Sequence, residues 1–478
     1  MSVDKVSPGM VRPPHPTGVN AMKKTLTRRR ALLGAAMLPL LAECTGGTPK
    51  KKPLLIGRRT DVLSTGAGLT VDTDETTATV TVPAATSISA WPQPGLTPGH
   101  GGVNVAWAGN MQHQWSHRIG AGNSEPEFLS YVALGKSGRG MIQSPPVVQN
   151  GRLYVADAQG VIRAFTWPGM HKVWEYNPKP KKMLSNNIGG GITIDGDTLY
   201  VVDGIGQALA VDAHTGKLKW RLQLGTPGRS APTFANGCLF FGTIDEKLFA
   251  VNASNGDILW TYTATSADTI IAGQPAPAVM DGVVLAGFGS GDLVALRAEG
   301  GEVVWADTLA SSNGQGALID FSCVHGMPVI SNGTAYAIST GSVLVAIDMR
   351  SGRRLWERAI SGQNTPVVIG DWIFLLSMDE ELACLDRESG HVRWITQLRQ
   401  YENSTKQKGG VVWTGPLLAG GKLVCISSLP QNGVVIIDPA VGHILSLHTL
   451  PDIVTVTPIV VDGLMLLLNN SGGLMAYS

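Results

Sequence analysis

The 478-residue chain is 44% hydrophobic and 15% charged, with 37 Lys and Arg against 36 Asp and Glu. That composition is globular and long enough for one very large domain or several ordinary ones. A net charge of +1, with no basic block beyond the N-terminus, leaves no electrostatic footprint for nucleic acid.

The first 43 residues read as a signal peptide. Lys23, Lys24, Arg28, Arg29 and Arg30 precede the apolar run Ala31 to Ala42, which suits a signal-peptide core and is too short to span a membrane. "TRRRALLG" also resembles a twin-arginine signal, so both export routes stay open. Met22 offers a second start, which would make residues 1–21 an over-extended beginning. The run ends at "LAEC", which resembles a bacterial lipobox with Cys44 as the lipidated residue, although Glu43 stands where a small residue is usual. The alternative is an accidental Cys after a cleaved signal. Residues 44–90, rich in Thr, Ala, Gly and Pro, read as a lipid-anchored flexible linker.

From residue 91 the chain reads as one domain, 91–478. "MQHQWSHRIG" from Met111 has the character of an outer strand with Trp115 inside it. A phrase then recurs about every 45 residues, a spacing typical of propellers and other arrays: "PVVQNG" from Pro146, "PTFANG" from Pro232, "PAVMDG" from Pro277, "PVISNG" from Pro328, "PVVIGD" from Pro366, "PLLAGG" from Pro416 and "PIVVDG" from Pro458, with "GITIDG" from Gly191 as a degenerate eighth. Each unit holds four short strands. In the unit from Pro277, "DG" turns into "VVLAGF", "GSGD" into "LVALRA" and "EGG" into "EVVWADTL". The expected fold is all-β: an eight-bladed propeller of four-stranded antiparallel blades.

A second phrase, A-x-D-x-x-[ST]-G-x-x-x-W, closes most units. Its Asp or Asn suits a local backbone bond and its Gly a turn. Trp174, Trp220, Trp260, Trp305, Trp356 and Trp394, with Trp115, occupy one slot of the outer strand and read as blade-docking residues rather than ligand binders. Burying about 200 Å² of each ring is worth roughly 5 kcal/mol gross per blade. The last unit stops at Ser478 after three strands, so the strand around Trp115 is expected to close the eighth blade and cover its open edge.

Signals for chemistry are sparse. His113 and His117 would lie about 13 Å apart on a strand, too far for a shared metal. The five cysteines are scattered without CxxC, and no GxSxG, HExxH, phosphate-loop or calcium-loop pattern occurs. No catalytic set, cofactor site or metal site can be assembled.

The tryptophan repeat, from about residue 111 to the end, resembles that of quinoprotein propellers. Quinoprotein alcohol dehydrogenases carry pyrroloquinoline quinone and calcium beside a vicinal disulfide, and this chain has no adjacent cysteines. The repeat, the lipobox-like Cys44, "PLLIGRRTDVL" and "WPQPGLTPGH" together resemble the BamB family of outer-membrane assembly lipoproteins, the last two in the manner of its alphaproteobacterial branch. The resemblance implies a monomeric, cofactor-free, non-enzymatic scaffold of the β-barrel assembly (BAM) machinery, anchored at the periplasmic face of the outer membrane. It also implies docking on the POTRA domains of BamA through two loops, matched here by "TIIAGQPAP" (Thr269 to Pro277) and "LIDFSCVHGMP" (Leu318 to Pro328). The candidates there are Ile270, Ile271, Gln274, Asp320, Phe321 and His325. Ile270, Ile271 and Phe321 form either an exposed apolar anchor or buried strand starts. Ala272 and "CVH" replace the arginine and acidic pair of better-studied members. A periplasmic quinoprotein oxidoreductase and a generic periplasmic binding propeller are the rival functions.

Overall fold

The computed structural model describes residues 69–72, 79–123, 140–181, 189–266, 275–310 and 322–478. They form eight four-stranded antiparallel sheets arranged as the blades of a propeller. Blade 4 shows the unit: Ala278–Met280, Val283–Gly287, Asp292–Arg297 and Val303–Thr308 run from the axis outward as strands A to D. Blades 1 to 3 span 147–176, 190–223 and 233–263, and blades 5 to 7 span 329–358, 367–397 and 413–448. Beside blade 7's first strand sits a small hairpin, Tyr401–Asn403 with Lys408–Gly410.

The eighth blade joins both ends of the described chain. Ile459–Val461, Leu464–Leu468 and Gly473–Tyr477 supply strands A to C, and His113–Arg118 is strand D, pairing antiparallel with Gly473–Tyr477. Closure by the strand around Trp115 is therefore as the sequence predicts.

Each blade alternates buried aliphatic residues on both faces, because both faces meet a neighbouring blade. Tyr154, Ile162 and Ala164 of blade 1 pack with Ile192, Leu199 and Leu209 of blade 2 in one continuous cluster. Blades 2 and 3 share a second cluster around Tyr200, Phe241 and Val251. The register explains the alanine of the repeat. Trp174, Trp220, Trp260, Trp305 and Trp356 stand directly across from Ala164, Ala210, Ala250, Ala295 and Ala346, so each large ring sits beside a methyl-sized partner. In blade 7 the slot holds Ser446, and the residue opposite has become Ile436.

The Asp or Asn of the repeat caps the C–D turn. Asp212 Oδ1 accepts from the Thr215 amide at 2.8 Å and its hydroxyl at 2.7 Å, and Asp386 Oδ1 accepts the equivalent pair from Ser389 at 2.7 Å each. Upstream of Trp91, where the sequence reading starts the propeller, described residues already touch the ring. Val80 is buried among Ile369, Trp372 and Phe374, and Asp72 Oδ2 accepts from the Val392 amide at 2.7 Å and meets Arg358 at 3.3 Å.

Candidate functional site

Strand A of a propeller blade has one edge facing the axis, where its amides and carbonyls have no neighbouring strand. In this protein a single extended ribbon, residues 86–110, supplies partners blade by blade. Ile88 O accepts from the Asp462 amide of blade 8 at 2.9 Å, and Trp91 exchanges two bonds with Val148 of blade 1 at 2.7 and 2.9 Å. Pro92 O takes the Ile194 amide of blade 2, and Gln93 Oε1 takes the Phe234 amide of blade 3. Pro98 O and Gly99 O then receive the amides of Val279 and Ile330 in blades 4 and 5. The Gly102 amide donates to Val368 O of blade 6, Val105 brackets Leu418 and Gly420 of blade 7, and the Asn110 amide reaches Ser478 O.

The composition of the ribbon follows from that path. Pro92, Pro94 and Pro98 lack amide donors where no acceptor awaits them. Gly102 lies so close to blade 6 that a Cβ would stand 2.8 Å from Val368 O. Apart from the Gln93 and His100 side chains, the contacts of "WPQPGLTPGH" are made by backbone and leave little trace in side-chain patterning.

The ribbon walls off one end of the axial channel and leaves a cavity of about 450 Å³. Ribbon residues Trp91, Leu96 and Val103 line it, together with the connections leading into the inner strands, including Met141, Gln143, Pro275, His325 and Val412. No Asp, Glu, Lys or Arg is among the described residues that line it. Much of the polar wall is satisfied between blades: Asn364 Nδ2 donates to Trp413 O at 3.2 Å, and the Met327 amide donates to Thr365 Oγ1 at 2.9 Å.

His100 is 4% exposed and belongs to this wall. Its Nδ1 lies 2.9 Å from Pro328 O, which only accepts, so the proton sits on Nδ1 and Nε2 is an acceptor. Nε2 is buried without a partner among the described residues. Burial lowers the imidazole pKa to about 4, partly opposed by the bond to Pro328, so the ring is neutral at pH 7.

Of the loop residues predicted from the sequence, His325 is described. It is half-buried, its Nδ1 lies 3.0 Å from Gln363 O, and it lines the cavity. Ile270, Ile271, Gln274, Asp320 and Phe321 lie outside the described residues, as do Cys44 and the signal segment. The described ends of both loops, Pro275 with Ala276 and His325 with Met327, meet at the same cavity. Among the described residues, Cys238, Cys323, Cys384 and Cys425 form no disulfide. No metal-ligating cluster occurs among the described residues, and the buried Asp157 and Glu246 carboxylates are paired with Arg163 and Arg229 at 2.6 and 2.7 Å.

A family model described as outer membrane protein assembly factor BamB matches residues 158–396, half of the chain. The chain belongs to the BamB family. The BamB of Moranella endobia (strain PCIT) is similar at 23% identity over 299 residues, covering 62% of this chain and 74% of that protein. Among solved structures, BamB from Moraxella catarrhalis superposes with a TM-score of 0.64 at 19% identity, covering 77% of this chain and 99% of that one. Quinohemoprotein alcohol dehydrogenase from Comamonas testosteroni superposes at 0.59 with 14% identity, covering 80% and 77%. At these identities the two structures share the propeller fold with this BamB-family chain, and their chemistry does not transfer with it.

Proposed function

We propose that this chain is a lipid-anchored scaffold of the β-barrel assembly machinery, held at the periplasmic face of the outer membrane by Cys44, and that it catalyses no reaction. The family match over 158–396 carries this reading. Its working contacts are the POTRA domains of BamA, received by the loops around Ile271 and Phe321, whose described ends converge on the axial cavity.

The chemistry of the cavity wall supports a scaffold over the quinoprotein alternative. Pyrroloquinoline quinone is a tricarboxylate used with calcium, so its pocket needs cationic side chains for the carboxylates and oxygen ligands of matching charge for the metal. Among the described residues this wall offers two histidines and no charged residue. The residues present do not fit the cofactor.

Affinity capture of the tagged full chain from solubilised membranes tests the function. BamA should co-purify, and Ile271→Asp or Phe321→Asp should reduce its yield. Capture unchanged in both variants would remove the loop assignment. A wild-type chain that never brings down BamA would remove the function.

A further inference from the structure

Strand D of blade 6 is covered where its counterparts are bare. Val392, two residues before the docking Trp394, is 3% exposed, whereas Leu218, Ile258 and Val303 hold the same slot at 40%, 47% and 50%. Ile395, one residue past the ring, is half-buried against the apolar cluster shared by blades 5 and 6. That slot holds exposed Glu175, Arg221, Thr261, Ala306 and Glu357 in blades 1 to 5. Blade 6 has therefore exchanged solvent-facing residues for aliphatic ones, as a covered strand requires.

The cover is the chain's own residues 69–72. Leu69 packs against the same cluster, beside Trp356 and Ile395. The Asp72 amide donates to Val392 O at 3.0 Å, and Asp72 Oδ2 accepts from the Val392 amide at 2.7 Å. The same carboxylate meets Arg358 Nη2 at 3.3 Å, while Arg358 Nε donates to Gly390 O at 2.8 Å, so one guanidinium ties blade 5, blade 6 and the N-terminal segment together. Thr70 and Val71 between them face solvent. Further fastenings lead towards the axis: Val80 is buried beside Trp372, Asn104 Nδ2 donates to Pro83 O at 2.7 Å, and Thr86 O accepts from the Ala106 amide at 2.8 Å.

We propose that Leu69 and Asp72 are a clip that fixes the point at which the membrane tether leaves the ring, on the outer rim between blades 5 and 6. Ring closure does not call for it: the ribbon from residue 86 and the strand His113–Arg118 do that work. What the clip changes is reach and attitude. Leu69 stands 25 residues after Cys44 and Thr86 stands 42 after it, so an extended chain spans at most about 85 Å to the clip against about 145 Å to the ribbon. A ring released from the clip would hang from its axis and present every rim to the membrane alike. A clipped ring hangs from one rim, which brings blades 5 and 6 closest to the lipid and carries blade 1 furthest from it. This consequence rests on the lipid anchor proposed above; the clip itself does not.

Hydrogen exchange on the full chain tests the clip. The Asp72 and Val392 amides should exchange slowly, and Leu69→Asp and Asp72→Ala should each speed exchange at Val392 about tenfold or more. Thr70→Ala, at an exposed position, should leave it unchanged. The second measurement places the acylated full chain on vesicles of phosphatidylethanolamine and phosphatidylglycerol that carry an acceptor lipid. A donor dye sits at Leu355→Cys in blade 5 or at the equivalent Val173→Cys across the ring in blade 1, with Cys238→Ser to remove the half-buried native thiol. Energy transfer should be higher from blade 5, and Asp72→Ala should abolish the difference. Exchange at Val392 that ignores both substitutions would overturn the proposal, as would equal transfer from the two rims with Leu69 and Asp72 in place. A chain that stays off the vesicles while Val392 remains slow would remove the anchor at Cys44 and uphold the clip.

Discussion

The indole of Trp174 in blade 1 lies on Gly216 in blade 2, so close that a Cβ on the glycine would stand 2.7 Å from Trp174 Cδ2. Trp174 Nε1 donates to Ala213 O at 2.9 Å, in the same turn. The arrangement recurs: Trp220 meets Gly256 and Ala253 O, Trp260 meets Gly301 and Ala298 O, and Trp394 meets Gly442 and Pro439 O. Gly256→Ala should therefore incur two separate costs. An L-residue at φ +82° costs about 1–2 kcal/mol, and overpacking against the ring adds about 1–3 kcal/mol. Gly237 has φ +78° and nothing within 4 Å of a Cβ, so Gly237→Ala should show the first cost alone. Urea midpoints of the two variants measure the difference, and equal losses would mean that the ring gives way.

Removing an indole should cost far more than adding one gains. Trp260→Ala deletes a buried ring and leaves a hole between blades 3 and 4, with an expected loss of about 3–5 kcal/mol. Ser446→Trp restores the repeat in blade 7, yet no turn of blade 8 stands ready to accept it, and Ile436 opposite takes the space an alanine leaves elsewhere. Its unfolding midpoint should not rise. A clear stabilisation would show that the ring itself, rather than the turn across from it, holds the blades.

The blades were legible because each restates its turns and its tryptophan, and because strand D of the last blade is missing at one end of the chain and present at the other. The alanine of the repeat carried its meaning only once register placed it across from the indole. The ribbon was hidden for a physical reason: it serves seven of the eight inner strands through main-chain carbonyls and amides, which every sequence possesses, and blade 3 through Gln93 Oε1, while its prolines and glycines read locally as a loop. At the seam the pattern also changes partner. Trp115 meets the edge of Trp167, with centroids 6.2 Å apart and planes at 64°, where other blades offer a glycine. Of the loop residues suggested by family resemblance, His325 reaches the cavity through an ordinary backbone contact that no motif announces.

Two carboxyls should make the fold less stable as pH rises. Burial raises Asp203 to about 6, against bonds from the Gln207 and Ile205 amides, and raises Glu380 to about 8, against a bond from the Trp413 amide. A carboxyl with a folded pKa above its unfolded value is held neutral in the native state. Its contribution is whole below the unfolded pKa and disappears as pH climbs through the folded one. Urea midpoints should therefore fall from pH 5 to pH 9, with the upper limb centred near the Glu380 value. Glu380→Gln should flatten that upper limb and leave the lower one in place. A wild-type midpoint that stays level between pH 7 and pH 9 would contradict the neutral Glu380.

Two parts of the N-terminal segment should fail differently when cut. A chain beginning at Ala108 keeps His113–Arg118 and so keeps the edge of Gly473–Tyr477 covered, but it loses the ribbon bonds to the inner strands. The amides of Ile194, Val279 and Ile330 would then face an open, wet channel. Water can replace each bond at modest net cost, about 0.5–1.5 kcal/mol apiece, so the ring should stay monomeric with a lower midpoint and fast exchange at those three amides. A chain beginning at Gly120 also uncovers the Gly473–Tyr477 edge and leaves Leu474, Met475 and Tyr477, now buried, without their outer strand. An apolar edge of that kind pairs with another molecule. Light scattering should show the shorter chain aggregating under conditions in which the longer one does not. If both truncations aggregated alike, the ribbon would be as necessary to closure as the strand.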